Sequence, residues 1–302
     1  MTAPRSLEVE GRAIRLTHPE RVVLPADPPI TKGELVEYYR RVAPAMLPHL
    51  RGRPLMLQRM TDGLGGSVFY QKEISPHFPA WVHRVVVPKR GGRVTHAICD
   101  NAATLVYLAN QGLVTPHPWL SRADDSLRPD RMIFDLDPSS DRVADVRFAA
   151  RAMRDVLVDA GLDPYLMATG SRGFHVIVAI RRDQRFPLVH AVAQELAEAA
   201  VRRAPDRLTI EFSKSRRGGR VFIDFHRNTY AQTAAPPYAV RPRPGAPVAV
   251  PLRWGELDSA RPDGWTVRTV LARLDRGTDA WPGFGQRRRS LASARRWLQR
   301  GG

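Results

Sequence analysis

Cysteine, lysine and long apolar runs are all scarce in this sequence, and each scarcity removes a class of protein. One cysteine in 302 residues, Cys99, excludes an intrachain disulfide framework and a cysteine-built zinc site. It sits in Ala97-Ile98-Cys99 and reads as core. No stretch approaches the roughly 20 apolar residues of a bilayer-spanning helix. The basic residue near the N-terminus is followed by no apolar segment, so residues 1–10 do not read as a signal peptide. The expectation is a cytoplasmic protein without a membrane partner. Lysine stands only at 32, 72, 89 and 214, yet Lys and Arg together number 47 against 30 Asp and Glu, so the formal charge of +17 is almost all arginine. Clustered cations gain affinity by displacing counterions condensed on nucleic acid, which makes a polyanion the expected partner. A GC-rich genome stays open as an explanation for part of the excess, and from charge alone a membrane surface or plain solubility stays open beside nucleic acid.

What is present suffices for a sizeable core: 43% of residues are hydrophobic. Residues 9–16 read as one short strand, and 25–29 as a turn-rich loop. Thr31-Lys32-Gly33-Glu34 has the form of a capping box opening a helix, whose extent Pro44 and Pro48 should limit. Residues 55–60, 67–71, 81–87 and 94–98 read as β-segments and 101–111 as a helix. In the second half, strands are expected at 131–137, 165–168, 174–180, 208–212 and 220–225, with helices at 143–160 and 188–201. Residues 236–251 are proline-rich and irregular, and terminal helices are expected over 252–274 and 287–299. No internal repeat or long flexible linker is visible. The pattern predicts a mixed α/β fold, one domain over 1–302 with two sheet-based lobes.

The strongest local signal is Met132-Ile133-Phe134-Asp135-Leu136-Asp137-Pro138. Side chains at i and i+2 of a strand share a face, so Asp135 and Asp137 point together while Phe134 and Leu136 turn the other way. Carboxylates held that close repel unless a cation lies between them, and hard oxygen ligands suit magnesium or manganese. A solvated strand end explains the pair equally well. Asp224 adds a third acid inside the apolar strand Val221-Phe222-Ile223-Asp224-Phe225. An acid there is costly unless it ligates or is paired, the pairing candidates being Arg220 and Arg227. Three carboxylates around two metals would serve an in-line phosphoryl displacement. Between the acidic strands lies Thr169-Gly170-Ser171-Arg172-Gly173-Phe174-His175, a tight turn whose amides, hydroxyl, guanidinium and imidazole suit a triphosphate.

Asp-x-Asp, then this Ser171-to-His175 turn, then a strand-embedded Asp resembles the archaeo-eukaryotic primase superfamily, and within it the polymerase domain of bacterial ligase D. The likeness runs through Leu16-Thr17-His18-Pro19-Glu20-Arg21, Ile30-Thr31-Lys32-Gly33-Glu34, Gly52-Arg53-Pro54-Leu55, Val68-Phe69-Tyr70-Gln71-Lys72, His117-Pro118-Trp119 and Arg241-Pro242-Arg243-Pro244-Gly245. The resemblance implies that Asp135, Asp137 and Asp224 hold the catalytic metals, Mn2+ or Mg2+ in a two-metal site, with an NTP or dNTP as substrate. It implies that His117, Ser171, Arg172, Gly173, His175, Arg227 and Arg241 surround the incoming nucleotide. It further assigns Arg21 and Lys32 to a DNA 5′-phosphate, and Phe69 and Tyr70 to stacking on template bases. Tyr70 replaces the usual second phenylalanine, and some relatives have lysine where Arg172 stands. By residue type alone, Arg21 and Lys32 also read as surface cations, His117 as a loop cap, and Phe69 or Tyr70 as core.

The implied activity is gap filling at broken DNA ends in non-homologous end joining, by a nucleotidyltransferase that extends a primer 3′-hydroxyl. No ligase or phosphoesterase motif is legible, which leads to the expectation of a stand-alone polymerase working with Ku and a separate ATP-dependent DNA ligase near the nucleoid. Two other readings stand beside it: a primase that starts chains de novo, and a non-catalytic module that binds DNA ends.

Overall fold

The computed structural model describes residues 6–60, 63, 66–277 and 279–302. The chain divides into two compact units, each built on its own sheet, and the fold is mixed α/β. The first comprises Met1–Trp119, Ala234–Ala249 and Trp265–Thr278, the second Leu120–Thr233, Val250–Gly264 and Asp279–Gly302.

In the first unit the strand Pro54–Met60 is the hub. On one side it pairs with Val68–Gln71 and, at its start, with Gly92–Ile98; on the other it pairs with Leu113–Pro118. Arg84–Lys89 extends the sheet beyond Gly92–Ile98. The Leu113–Pro118 strand was not legible in the sequence because it contains Pro116 and Pro118, which cannot donate to a ladder. Among the described residues it pairs with Pro54–Met60 and with no other strand, so it is an edge that tolerates them.

The helix Lys32–Leu50 starts as expected. Glu34 N–H donates to Thr31 Oγ1 at 3.2 Å and Thr31 N–H to Glu34 Oε2 at 2.9 Å. It then runs straight through Pro44 and Pro48, contrary to the expected limit. Both prolines lie on the exposed side of the helix. Val42, Ala43, Met46, Leu47 and Leu50 meanwhile stay buried on the other side. Tertiary burial of that stripe outweighs the roughly 3 kcal/mol a helix-interior proline costs. The single strand expected at 9–16 is instead a hairpin, Ser6–Val9 with Arg12–Arg15. Glu10 and Gly11 turn it, with φ of 50° and 71°, the left-handed pair that a two-residue turn requires. The second helix, Ala102–Asn110, is capped by Asn101, whose side chain accepts from Thr104 N–H.

The second unit carries a six-stranded sheet among the described residues. Its order is Leu208–Thr209, Val221–Asp224, Arg131–Asp137, Phe174–Ala179, Pro164–Ala168, Val250–Leu252, antiparallel except for the first pair. The helices Val143–Asp159 and Phe186–Arg203 pack on this sheet and on each other. Residues 252–274, expected as one helix, are mostly irregular: a 3-10 turn Trp254–Glu256 and only a short helix Val270–Asp275. Pro262 and Gly264 break the apolar periodicity that suggested a continuous helix. No helix among the described residues is long and apolar enough to cross a membrane.

Candidate active site

Alternation in Arg131–Asp137 is strict where it matters. Phe134 and Leu136 are fully buried, whereas Asp135 and Asp137 are half-buried on the opposite face. Cross-strand register then gathers the rest. Asp135 sits directly opposite Asp224 on one side and opposite His175 on the other, and Asp137 is opposite Phe222. A row Asp224–Asp135–His175 therefore crosses three adjacent strands, with Asp137 one pleat further on the same face.

Gly173 makes this approach possible. A Cβ there would stand 2.0 Å from the Leu136 carbonyl oxygen, between the two acids of the central strand. The turn before it is closed by Thr169, whose Oγ1 donates to the Gly173 carbonyl at 2.7 Å. Gly170, at φ 66°, gives its N–H to the Pro262 carbonyl. Thr169 N–H donates to the Gly173 carbonyl as well, at 3.2 Å, so any anion nest in this turn is confined to the amides that follow Gly170.

The electrostatics are those of a crowded acidic site. Burial, then repulsion from Asp135 and Asp224, raises the Asp137 pKa; the Arg217 and Arg227 charges oppose the rise. Burial also raises Asp224, against the pull of Arg227 and with a push from Asp135. Arg227 reaches both partners, Nε at 3.4 Å from Asp224 Oδ2 and Nη2 at 3.5 Å from Asp135 Oδ2. His175 Nε2 lies 3.4 Å from Asp135 Oδ1, and its Nδ1 is buried with no partner among the described residues. Arg172 donates to the Pro138 carbonyl at 2.8 Å. With Ser171, Ser140, Arg142 and Arg261 it lines a cavity of about 170 Å³.

Among the described residues, no three or more His, Cys, Asp or Glu side chains are arranged to enclose a metal ion. Two of the carboxylates are turned onto the Arg227 guanidinium, which stands in as their cation. The donor set nonetheless fits a hard divalent ion, being three oxygen-only side chains on one face whose charges repel.

The remaining candidate residues lie in the first unit. Lys32 is buried and donates to the Thr17 carbonyl and, at 2.6 Å, to Thr17 Oγ1. Burial and the neighbouring Arg21 push its pKa down to about 8, partly opposed by Glu20. The two cations are thus close, as a shared anion would need. Phe69 and Tyr70 are both exposed, on the edge strand Val68–Gln71, and Arg59 lies over the Phe69 ring at 5.6 Å. Tyr70 meets His117 edge-on at 5.8 Å. Gln58 joins them, its Nε2 donating to the Tyr70 hydroxyl and its Oε1 facing His117 Nε2, both at 3.2 Å. The Arg241 segment is laced to the His117 strand, because Thr115 Oγ1 donates to the Val240 carbonyl.

Three contributors escaped the sequence reading. Gln58 looked like one polar residue of a β-segment. Arg217, buried with its guanidinium 4.0 Å from the Phe222 ring centroid, was one arginine among several. Asn228 pins the acidic strand: its Oδ1 accepts from Ile133 N–H and its Nδ2 donates to the Ile133 and Phe225 carbonyls, all at 2.7–2.8 Å. Its place four residues after Asp224 was the available clue.

Comparison with known proteins agrees with this geometry. The family model described as LigD, primase-polymerase domain, matches residues 31–281. The multifunctional non-homologous end joining DNA repair protein LigD of Mycobacterium tuberculosis is 32% identical over 88% of this chain and 36% of its own length. The corresponding Pseudomonas aeruginosa protein is 32% identical over 95% of this chain and 35% of its own. The chain thus spans about a third of the length of these curated relatives. A solved polymerase domain from Mycobacterium tuberculosis ligase D in complex with DNA superposes with a TM-score of 0.84 at 29% identity, covering 91% of this chain and 99% of that one. The chain belongs to the LigD primase-polymerase domain family, a family of nucleotidyltransferases of the polymerase type.

Proposed function

We propose that this chain is a template-dependent polymerase that transfers a nucleotide from an NTP or dNTP to a primer 3′-hydroxyl, with release of pyrophosphate, to fill gaps at broken DNA ends in non-homologous end joining. The observation that carries the reading is the row Asp224–Asp135–His175 with Asp137 beside it, three carboxylates converging on one sheet face. Pure DNA binding has no use for acids that repel phosphates. The family model runs through both units, which supports treating 1–302 as one primase-polymerase domain.

In this reading Asp135, Asp137 and Asp224 hold Mg2+ or Mn2+ in a two-metal arrangement. When bound, such ions activate the 3′-hydroxyl and neutralise charge on the triphosphate. Asp224 is also assigned to help remove the hydroxyl proton. His175, Ser171, Arg172 and Arg227 surround the phosphates, with Gly173 allowing the close approach, and His117 and Arg241 are assigned to the same nucleotide. Arg21 and Lys32 grip the downstream 5′-phosphate, and Phe69 and Tyr70 stack on template bases. Ku and an ATP-dependent DNA ligase are the proposed partners beyond DNA.

The test is extension of a labelled primer across a 5′-phosphorylated gap, with ribo- or deoxynucleotides and either metal. Templated addition is expected, exceeding synthesis on bare single strands. Dominant synthesis on bare strands would make the protein a primase. DNA binding without incorporation in either metal would reduce it to an end-binding module.

A further inference from the structure

Phe212 is 71% exposed, the most exposed of the large hydrophobic residues among those described. It lies between the strands Leu208–Thr209 and Val221–Asp224, in a segment that also holds Lys214, Arg216, Arg217 and Arg220 against the one carboxylate of Glu211. The segment is braced. Arg217 donates from Nε to the Glu211 carbonyl at 3.1 Å and from Nη2 to the Phe212 carbonyl at 3.0 Å, while its guanidinium lies on Phe222. Arg220 donates back to the Arg216 and Arg217 carbonyls, and Ser139 Oγ holds the Arg220 carbonyl at 2.6 Å.

Phe212 touches Phe222 and His226 edge-on, at 6.3 and 5.8 Å, and among the described residues no ring lies parallel to it. Phe222 is opposite Asp137 and two residues from Asp224, so it shares the acidic face. A braced, exposed aromatic followed by a run of cations therefore stands on the face that carries the three carboxylates.

We propose that Phe212, with Lys214, Arg216 and Arg220, forms a docking surface for the 3′-terminal stretch of a single-stranded polynucleotide, one base stacking on the ring and the backbone phosphates meeting the cations. This inference deepens the polymerase reading and rests on it for the orientation of the strand. Charge complementarity selects the occupant: Lys214, Arg216 and Arg220 are at least partly exposed, the segment's one carboxylate, Glu211, pairs with Arg216 at 3.1 Å, and the remaining excess of cations suits phosphates. An aromatic face is the sequence-tolerant way to hold a base. Apolar surface left in water here is recovered when the base covers it. The ring's neighbours on the carboxylate face place the held strand beside the acids that would activate its terminal hydroxyl.

The experiment measures binding of a short single-stranded DNA carrying 2-aminopurine next to its 3′ end, without metal or nucleotide. Intact protein should quench the probe and bind with strong salt dependence. Phe212→Ala and Phe212→Leu should bind about ten-fold more weakly and lose the quench, whereas Phe212→Trp should keep both. Lys214→Ala with Arg216→Ala should flatten the salt dependence by about two released counterions. Unchanged affinity and quenching in Phe212→Ala would overturn the proposal, as would equal quenching of 2-aminopurine riboside triphosphate alone, which would make this a nucleotide contact. Primer extension by the intact protein is scored separately. If extension occurs but Phe212→Ala binds the strand normally, the docking surface falls and the polymerase stands; if the quench depends on Phe212 but nothing is extended, the reverse holds.

Discussion

Asp137 shows what a single residue concedes to function. Burial and two neighbouring acids raise its pKa, and Asp224 is raised by burial as well. A carboxyl whose folded pKa exceeds its unfolded value contributes stability below the unfolded value, near 4, and that contribution disappears as pH rises through the folded one. These two groups should therefore contribute less stability to the metal-free protein as pH rises above about 4. Asp137→Asn, which cannot ionise, should raise the metal-free Tm at pH 7 while abolishing primer extension. A Tm no higher than that of the unmodified protein would show that Arg217 and Arg227 already relieve the repulsion. Lys32 runs the other way. Its pKa of about 8 lies below that of an ordinary lysine, so its charge is penalised in the fold and the protein loses stability as pH falls through that value. A 5′-phosphate needs that charge. Affinity for a 5′-phosphorylated gap should decline above pH 8, by up to about 3 kcal/mol if the contact is charge-assisted and buried. Affinity for a 5′-hydroxyl gap should stay level. Parallel decline on both would make Lys32 a general contact.

Between residues and whole molecule, the decisive element is the pair of strands joined by the 169–173 turn. Gly173→Ala places a methyl 2.0 Å from the Leu136 carbonyl, a clash with backbone that cannot rotate aside. Displacing the strand between Asp135 and Asp137 should cost at least about 2 kcal/mol of stability and about 10²-fold in extension rate. Thermal melts and single-turnover kinetics would check both, and an unaltered melt would mean the strands are not held so tightly. That Arg131–Asp137 is a strand was legible residue for residue, because one apolar face alternates with acids. The Thr31 capping box was legible for the same local reason. The proline-bearing helix and edge strand were not, since only burial and the position of an edge decide whether a proline is tolerated. Nor was the irregular course of 252–274, where Pro262 and Gly264 outweigh apolar spacing. In the candidate site the acids and the glycine-rich turn announced themselves. Gln58, Arg217 and Asn228 act through register and packing, which one-dimensional spacing does not carry.

For the molecule as a whole, the +17 charge and the acidic row pull in opposite directions. Cations would gather the polynucleotide, and a small concentration of carboxylates would be reserved for the metal-dependent step. The family match covers most of this chain and about a third of its curated relatives, so the catalytic claim must stand on this chain's own residues. The measurement that tests it most directly is templated primer extension on a 5′-phosphorylated gapped duplex with manganese, comparing intact protein with the Asp135→Ala, Asp137→Ala double variant. The expected result is addition of complementary nucleotides by the intact protein and a loss of at least about 10³-fold in the variant, with DNA binding retained. Addition at comparable rates by both, or by neither, would contradict the account.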